Sequence, residues 1–514
     1  MPTASATAPP PLPGATPLFD AAALRRADRL AGTRHAMPSI LLMERAGLAA
    51  AEAILAAYPQ RTAALVVVGA GNNGGDGYVV ARHLAEAGWD VAIAAPRGQR
   101  AATPDATAMA AIARSLGLRP RPFAPAALDD ARLVVDGLLG TGARGAPRGT
   151  IGAAVAAIAR SGAPVVSLDV PSGVDADTGV VAGEAIRAEL TVTFHGDMPG
   201  LHVEPGRSHA GRVMVADIGI PAAVVSDATA WLVGRGAAAG VPPKAAGADK
   251  YASGAVLLAV GSPGLTGAGC LASRATLRAG AGLTVAGVPA GVQPVYATQL
   301  VEIMSAPIPE DDGAFGPASV APLVEQAHRV SALVIGPGIG RAEQTRAFVR
   351  EALEAIDLPA VVDADALHHL GTEPGWLALR SAPTVLTPHA GEAGHILDRP
   401  RTEVEAERLA AARALTAASG AVAVLKGPGT VVAAPDGRIA VGATGSAALA
   451  TAGTGDVLSG VVGAFLAKGM EPFAAAAAAV AVHGRAGELA GRGDGTVAGD
   501  VVEALPAALA ERDA

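Results

Sequence analysis

The sequence predicts an α/β protein of two domains, each built on a parallel sheet wrapped by helices. At 514 residues the chain exceeds the usual size of one domain. Both halves alternate short β-rich runs with helical patterns, which is typical of strand–helix–strand units. Apolar residues make up 51% of the chain and aromatic residues only 3%, so we expect closely packed cores of small aliphatic side chains.

The N-terminal half is predicted to contain a leader, six strands and two well-marked helices. Residues 1–19, rich in Pro, Ala and Thr, have neither a charged nor an apolar signal region and predict a disordered leader. The helices are expected over 77–87 and 151–160, because each is closed by a glycine. The strands are expected over 63–68, 91–95, 133–135, 165–168, 191–194 and 213–217.

A domain boundary is expected near 234–250, where Gly, Ala, Pro and Lys replace the periodic pattern, so the predicted domains are 20–235 and 240–514. Strands of the second domain are expected over 255–260, 283–286, 332–335, 360–362, 384–386 and 422–425. A hairpin then joins 430–433 to 438–441 through Pro435-Asp436-Gly437, a sequence suited to a chain reversal.

Charge, cysteine count and hydropathy exclude several classes of protein. The net charge of −8, with no basic block, argues against nucleic-acid binding. A single cysteine, Cys270, excludes an intrachain disulfide and leaves too few thiolates for a zinc cluster. The most apolar stretch, 473–482, is too short to span a bilayer. We therefore expect a soluble, cytoplasmic protein.

The first motif is a glycine-rich turn after the strand at 63–68. It reads Gly69-Ala70-Gly71-Asn72-Asn73-Gly74-Gly75-Asp76-Gly77. Glycines let backbone amides approach a phosphate, and a helix start adds partial positive charge. Two more strands end in polar groups, at Asp136 and at Asp169-Val170-Pro171-Ser172. Ligands bind beyond the carboxyl ends of such strands, which predicts a site at this rim, although a turn built only for its geometry is the alternative.

These strand ends, with Met37-Pro38-Ser39 and Leu42-Met43-Glu44-Arg45-Ala46-Gly47, resemble the N-terminal domain of the NAD(P)HX epimerases over roughly residues 20–220. The resemblance implies a Rossmann-like three-layer sandwich that interconverts the two epimers of hydrated NAD(P)H. The dinucleotide would then be bound by two segments, Asn72, Asn73, Gly74, Gly75 and Asp76 in the first and Gly140, Thr141, Gly142, Ala143, Arg144, Gly145 and Ala146 in the second.

The same resemblance implies a metal ion and an acid–base group. Asn73, Asp136 and Ser172 would bind K⁺, because hard oxygen ligands suit such a cation. Asp169 would contact the hydrated nicotinamide ring as the catalytic acid–base. One departure from the family is Met198, at a position where members often carry lysine.

Five motifs, four of them after predicted strands and the fifth at a helix start, mark a second site in the C-terminal half. Lys426 and the amides after it suit a nucleotide phosphate. Asp456 follows a Gly-Thr-Gly anion hole, where it can deprotonate a hydroxyl that attacks a phosphoryl group, although a first-turn helix acid is the alternative. Asp363 and Asp365 suit magnesium, substrate or a plain turn. The motifs are Gly261–Gly269, Gly336-Pro337-Gly338-Ile339-Gly340, Thr387-Pro388-His389-Ala390-Gly391-Glu392, Lys426-Gly427-Pro428-Gly429-Thr430 and Gly453-Thr454-Gly455-Asp456.

This half resembles the ribokinase-like fold and, within it, the NAD(P)HX dehydratases over roughly residues 240–505. The resemblance implies phosphorylation of the ring hydroxyl by ADP with Mg²⁺, followed by loss of phosphate. Ser446 replaces an asparagine usual in the family. Ala268, Gly338, His389 and the catalytic Asp456 would face the hydrated dinucleotide, and the adenine nucleotide would contact Lys426, Gly427, Pro428, Gly429, Thr430 and Gly455.

The two resemblances together predict a fused repair enzyme. It would exchange R- and S-NAD(P)HX and convert the S epimer to NAD(P)H, with AMP and phosphate as the other products. We expect NAD(P)HX and ADP as its ligands, no nucleic-acid or membrane partner, and a homo-oligomer. The alternative is a ribokinase-class kinase of a vitamin precursor whose N-terminal half is a non-catalytic ligand-binding module.

Overall fold

The computed structural model describes residues 12–221, 224, 228 and 230–513. The chain divides into two compact units. The first contains Pro17–Thr229, and the second contains Pro9–Thr16 and Ala230–Ala514. The first described strand is β1 (Thr16–Leu18).

The first unit is built on a seven-stranded sheet in the order β4–β3–β2–β5–β6–β7–β8, and all its strand pairs are parallel. The strands are β2 (Ala63–Val68), β3 (Asp90–Ala95), β4 (Arg121–Pro122), β5 (Leu133–Gly137), β6 (Val165–Leu168), β7 (Leu190–Phe194) and β8 (Arg212–Ala216). The helices are α1 (Ala21–His35), α2 (Ser39–Ala57), α3 (Asn72–Glu86), α4 (Pro104–Ser115), α5 (Gly149–Ser161) and α6 (Gly206–Ala210).

Strand β2 shows why this sheet has helices on both faces. Successive side chains of a strand point to opposite faces. Val66 and Val68 belong to a core cluster with residues of α2, α3 and α4, whereas Leu65 and Val67 belong to another cluster with residues of α5. A continuous apolar run is therefore needed, as in other parallel strands that are covered on both faces. The predicted three-layer α/β sandwich is confirmed.

The second unit holds an eleven-stranded sheet in the order β1–β9–β18–β17–β16–β15–β14–β13–β10–β11–β12. The new strands are β9 (Ala230–Val233), β10 (Ala255–Ala259), β11 (Leu283–Pro289), β12 (Met304–Ile308), β13 (Ala332–Ile335), β14 (Ala360–Val362), β15 (Thr384–Leu386), β16 (Val422–Leu425), β17 (Val431–Ala433) and β18 (Ile439–Gly442). The helices are α7 (Thr266–Arg278), α8 (Gln293–Gln299), α9 (Val320–Ala327), α10 (Glu343–Ala355), α11 (Asp365–Leu370), α12 (Ala390–Leu397), α13 (Arg401–Ala406), α14 (Arg408–Ser419), α15 (Thr454–Ala467), α16 (Pro472–Ala490) and α17 (Ala498–Ala510).

Each predicted strand is present, and so is the hairpin, as β17 and β18. Three predictions need correction. The helix predicted over 77–87 begins at Asn72, so the glycine-rich motif forms its first turn. The domain boundary lies before Ala230 rather than at 235–240, because β9 pairs with β18 in the second sheet.

The third correction concerns the leader predicted over 1–19. Residues 12–19 include a turn and β1, while residues 1–11 lie outside the described part. Leu12 is buried in the core of the second unit, and Leu18 is also buried. These two apolar side chains provide the burial that orders the segment.

Both sheets have a point at which the strand order reverses. In the first unit it lies between β2 and β5, and in the second between β10 and β13. Crossovers leave such a point in opposite directions and open a crevice at the carboxyl ends of the strands, where ligands bind. Over the residues that the structure describes, no helix is long and apolar enough to cross a membrane.

Candidate functional site

In the first unit, Asp136 near the end of β5 is a fully buried carboxylate held by four donors. Its Oδ2 accepts hydrogen bonds from the Ser167 hydroxyl at 3.0 Å and the Ser172 amide at 2.9 Å. Its Oδ1 accepts from the Ser172 hydroxyl at 2.7 Å and the Leu138 amide at 3.2 Å. Burial raises the pKa of Asp136, and these donors oppose the rise. The carboxylate thereby ties the loop after β6 to β5.

Asn73 lies in the first turn of α3 next to this network. Its Nδ2 donates to the Leu139 carbonyl at 2.8 Å, and the Leu139 amide donates to Ser172 Oγ at 2.9 Å. Within the described chain, the buried Oδ1 of Asn73 has no hydrogen-bond partner. A buried oxygen of this kind costs about 1–3 kcal/mol when nothing satisfies it. The structure thus brings Asn73, Asp136 and Ser172 together and leaves one oxygen available to a cation.

Asp169 directly follows β6 and has a left-handed backbone, with φ at 65°. Its Oδ2 accepts a hydrogen bond from the Thr141 amide at 2.8 Å. A Cβ at position 140 would lie 2.5 Å from the same oxygen, so glycine is required there. Burial raises the pKa of Asp169, while the Thr141 amide and the Arg25 charge oppose the rise. A left-handed aspartate is uncommon, and such backbone strain clusters at functional sites.

Two more carboxylates lie near Asp169, and one of them was not predicted. Asp76, in the first turn of α3, has a buried side chain. Burial, followed by the charges of Asp169 and Asp28, raises its pKa well above the ordinary value. Asp28 comes from α1, a helix without a glycine motif that could have drawn attention to it.

Some predicted dinucleotide contacts have other roles in the structure. A Cβ at Gly74 would lie 2.1 Å from the Gly69 carbonyl oxygen, and one at Gly75 would lie 2.6 Å from the sulfur of Met43. Close packing of α3 therefore explains both glycines. Arg144 forms ion pairs with Asp175 at 3.2 Å and with Asp177 at 2.5 Å.

The two departures from the family have clear surroundings. Met198 is fully buried in an apolar cluster with Phe19, Leu24 and Leu201, and so contributes packing rather than charge. Ser446 caps the short 3₁₀ helix Ala447–Leu449, where its Oγ accepts a hydrogen bond from the Ala448 amide at 3.3 Å.

In the second unit, Lys426 joins the ends of three strands. Its Nζ lies 2.8 Å from Asp363 Oδ1, directly after β14, and 3.8 Å from Glu392 Oε2, in the first turn of α12. Burial alone lowers the pKa of Lys426, but the charges of Asp363 and Glu392 outweigh it and raise the pKa. Asp363, for which the sequence left several roles open, holds this lysine in place.

Asp456 lies in the first turn of α15, which begins near the same lysine. Burial, then the charge of Asp363, raise the pKa of Asp456 to about 7, against the attraction of Lys426. A Cβ at Gly455 would lie 3.3 Å from Lys426 Nζ, so this glycine allows the ammonium group to approach the helix start. A carboxylate with a pKa near neutrality suits a general base.

His389 and Asp365 are structural supports of this site. His389 Nδ1 accepts hydrogen bonds from the Gly391 amide at 2.9 Å and the Glu392 amide at 3.1 Å, while Glu392 Oε2 accepts from the His389 amide at 2.8 Å. This reciprocal cap orients Glu392 toward Lys426. Asp365 Oδ2 accepts from the Gly340 amide at 3.1 Å and so fixes the loop after β13.

Arg408 holds the backbone directly before the loop predicted to bind nucleotide, Gly427 to Thr430. Arg408 Nη2 donates to the carbonyls of Leu425 and Lys426 at 2.9 and 3.1 Å. Gly427 has φ at 143°, and a Cβ there would lie 2.9 Å from the guanidinium. The loop and its exposed Pro428 are therefore held in a fixed shape.

The other two glycine motifs of this unit contact each other. Ser262 Oγ donates to the Gly338 carbonyl at 2.9 Å, and a Cβ at Gly338 would lie 3.2 Å from that of Ala268. The buried hydroxyl of Tyr296 occupies the space left by two glycines, because a Cβ at Gly261 or Gly269 would lie 2.1 or 2.2 Å from it. Packing accounts for these two glycines.

Comparison with known proteins agrees with this division into two sites. A family model described as NAD(P)H-hydrate dehydratase matches residues 256–506, and one described as YjeF-related protein N-terminus matches residues 39–200. The bifunctional NAD(P)H-hydrate repair enzyme Nnr of Moorella thermoacetica is 40% identical over 518 residues, which cover 96% of each chain. The chain belongs to the bifunctional NAD(P)H-hydrate repair enzymes.

Another repair enzyme also matches most of the chain, and a solved dehydratase structure matches about half of it. The enzyme of Escherichia coli K12 is 34% identical, over 91% of this chain and 88% of its own. A crystal structure of the ADP/ATP-dependent NAD(P)H-hydrate dehydratase from Bacillus subtilis, co-crystallised with ATP and Mg²⁺, is 30% identical. It covers 54% of this chain and 96% of that chain, with a TM-score of 0.46. The predicted family, with its epimerase and dehydratase regions, is confirmed.

Proposed function

We propose that the chain exchanges R- and S-NAD(P)HX in its first unit and, in its second, dehydrates the S epimer with ADP to NAD(P)H, AMP and phosphate. The observation that carries the proposal is Asp456, which lies at the start of α15 beside Lys426 and has a pKa of about 7. Such a pair combines a base with a fixed positive charge, which a phosphoryl transfer to a hydroxyl requires.

In the second site, Asp456 takes the proton of the ring hydroxyl while the oxygen attacks the β-phosphorus of ADP and AMP leaves. The phosphate then leaves the ring carbon, and loss of a ring proton restores the dihydronicotinamide. Lys426 and the amides at the start of α15 receive the phosphate charge. Mg²⁺ would enter on the ADP phosphates, because this ion is usually bound by substrate phosphates together with one or two carboxylates.

In the first site, Asp169 moves protons as the hydrated ring opens and recloses. Asn73 Oδ1 and Ser172 Oγ would hold K⁺, with Asp136 supplying negative charge behind them. The unpaired Asn73 oxygen fits this role. The cation would supply a fixed positive charge next to the dinucleotide phosphates. Because the substrate is a damaged intracellular cofactor, the proposal also places the enzyme in the cytoplasm.

The direct test is to incubate the purified chain with hydrated NADH, with and without ADP. Epimer exchange is expected in both reactions, and NADH with equimolar AMP only when ADP is present. A stable phosphorylated product would instead favour a ribokinase-class small-molecule kinase, and failure of exchange would favour a non-catalytic first unit.

The dehydration rate should depend on pH through Asp456. Its carboxyl must be ionised to act as a base, so kcat is expected to be highest above about pH 7 and to fall about tenfold per pH unit below it. The measurement is kcat from pH 5.5 to 9 at saturating substrate. A rate that stays constant down to pH 5.5 would contradict this role.

Ser172→Ala should abolish the dependence of epimer exchange on K⁺. The change removes a cation ligand and one of the donors to Asp136, so the free energy of unfolding should also fall by about 1–3 kcal/mol. Exchange rates are compared in KCl and NaCl, with Ser115→Ala, at the exposed end of α4, as the matched control. An unchanged response to K⁺ would place the ion elsewhere.

A further inference from the structure

Helix α1 borders the first site through contacts with the loop that contains Thr141. Arg25 Nη1 donates to the Thr141 carbonyl at 3.4 Å, and the Thr141 amide donates to Asp169 Oδ2 at 2.8 Å. At the start of α1, the Ala21 amide donates to Asp177 Oδ1 at 2.7 Å, and Asp177 also pairs with Arg144. Two points of the loop are therefore linked to this helix, Thr141 directly through Arg25 and Arg144 through Asp177.

Asp28 lies one helical turn beyond Arg25, and residues three apart share a face of a helix. Its side chain is exposed, unlike that of Asp76. Partial desolvation, then the charge of Asp169, raise the pKa of Asp28 to about 6, and Arg29 opposes the rise. The face of α1 that carries Arg25 and Asp28 is thus the one next to Asp169.

Epimer exchange needs two proton transfers at different atoms. Opening removes the proton of the ring hydroxyl and breaks the bond from its carbon to the ring nitrogen, which gains a proton. Rotation of the resulting aldehyde and the reverse transfers close the ring as the other epimer. One carboxylate that has just accepted the hydroxyl proton would have to move it to another atom, whereas two groups can act together.

We propose that Asp28 is a second acid–base residue of the epimerisation and works with Asp169 on the opening and closing ring. The proposal rests on the function proposed above for the first unit. Arg25 favours the ionised form of Asp169. Asp28 is exposed on this face of α1, where solvent and substrate can reach it. The charged groups that face Asp28 are Asp76 and Asp169 across the site and Arg25 and Arg29 on its own helix.

The test compares Asp28→Asn and Asp28→Glu in the full chain, with Glu52→Gln, an exposed acid on α2, as the control. Enzyme-dependent exchange is measured from pH 5 to 9 above the uncatalysed rate. Asp28→Asn is expected to lower kcat/KM about 100-fold and to remove the ionisation near pH 6. Asp28→Glu should restore part of the rate, and dehydration of the S epimer should be unchanged in both.

Three results would overturn the proposal. Exchange by Asp28→Asn within threefold of the wild type, or with the wild-type pH profile, would show that Asp28 moves no proton. An equal loss in Asp28→Glu, accompanied by a lower melting temperature, would make the residue structural. Absence of exchange in the wild type would reject the proposed function of the first unit itself, a result that the variants do not imitate.

Discussion

Asp456→Asn is expected to stop ADP-dependent dehydration while epimer exchange continues at the wild-type rate. Asparagine keeps the shape of the side chain but cannot accept the hydroxyl proton. A general base contributes about 10²–10⁴ in rate, and kcat should fall by that factor. Dehydration is measured as NADH formation from hydrated NADH with ADP and Mg²⁺. Epimer exchange is measured by chromatographic separation of the epimers.

The matched control is Asp494→Asn, an exposed aspartate in the same unit that lies in a short 3₁₀ helix. It should retain both activities. Equal loss of dehydration and exchange in Asp456→Asn would contradict two independent sites. A full dehydration rate would assign the proton transfer to another group, such as Asp363 or Glu392, whose carboxylates lie 2.8 and 3.8 Å from Lys426 Nζ.

The same substitution should stabilise the protein at alkaline pH. The folded state raises the pKa of Asp456 from the ordinary value of 3.8 to about 7. Ionisation of this carboxyl therefore lowers the free energy of unfolding as the pH rises between these two values. Asparagine removes that cost. The melting temperature of Asp456→Asn should therefore exceed that of the wild type at pH 8, by about 2–4 °C per kcal/mol, and the difference should vanish below pH 4.

Local patterns predicted the fold well wherever burial alone dictates the residues. Strand β2 and its neighbours are covered on both faces, so they appear in the sequence as unbroken apolar runs. Strand β9 was missed as part of the second sheet because its partner, β18, lies about 200 residues away in the chain. Pairing at that distance has no local signal.

The candidate sites were predictable to the extent that strand ends supply them. Asp136 lies near the end of β5 and Asp169 directly follows the neighbouring parallel strand β6, so the structure places both at the carboxyl ends of the sheet. The capping of α12 by His389 was not predictable, because it depends on backbone geometry. The pairing of Lys426 with Asp363 joins residues 63 positions apart, and the approach of Asp28 to Asp169 requires the docking of a whole helix.

Asp169→Asn is expected to reduce epimer exchange by about 10²–10⁴ while dehydration of the S epimer continues. Asparagine is preferred to alanine because it tolerates the left-handed backbone at φ of 65° and keeps an oxygen for the Thr141 amide. The loss then reports proton transfer rather than a collapsed loop. The measurement starts from the purified R epimer and follows its conversion to the S epimer over time.

Asp90→Asn is the matched control, because this exposed aspartate begins β3 and lies at the amino ends of the parallel strands, whereas the site lies at their carboxyl ends. If Asp169→Asn still exchanges epimers, the proton carrier is another carboxylate of the cluster. The double variant with Asp28→Asn separates the cases, because residues that serve one transition state are strongly non-additive. A double variant little slower than Asp169→Asn alone indicates a joint action, whereas multiplied losses indicate that the two carboxylates act independently.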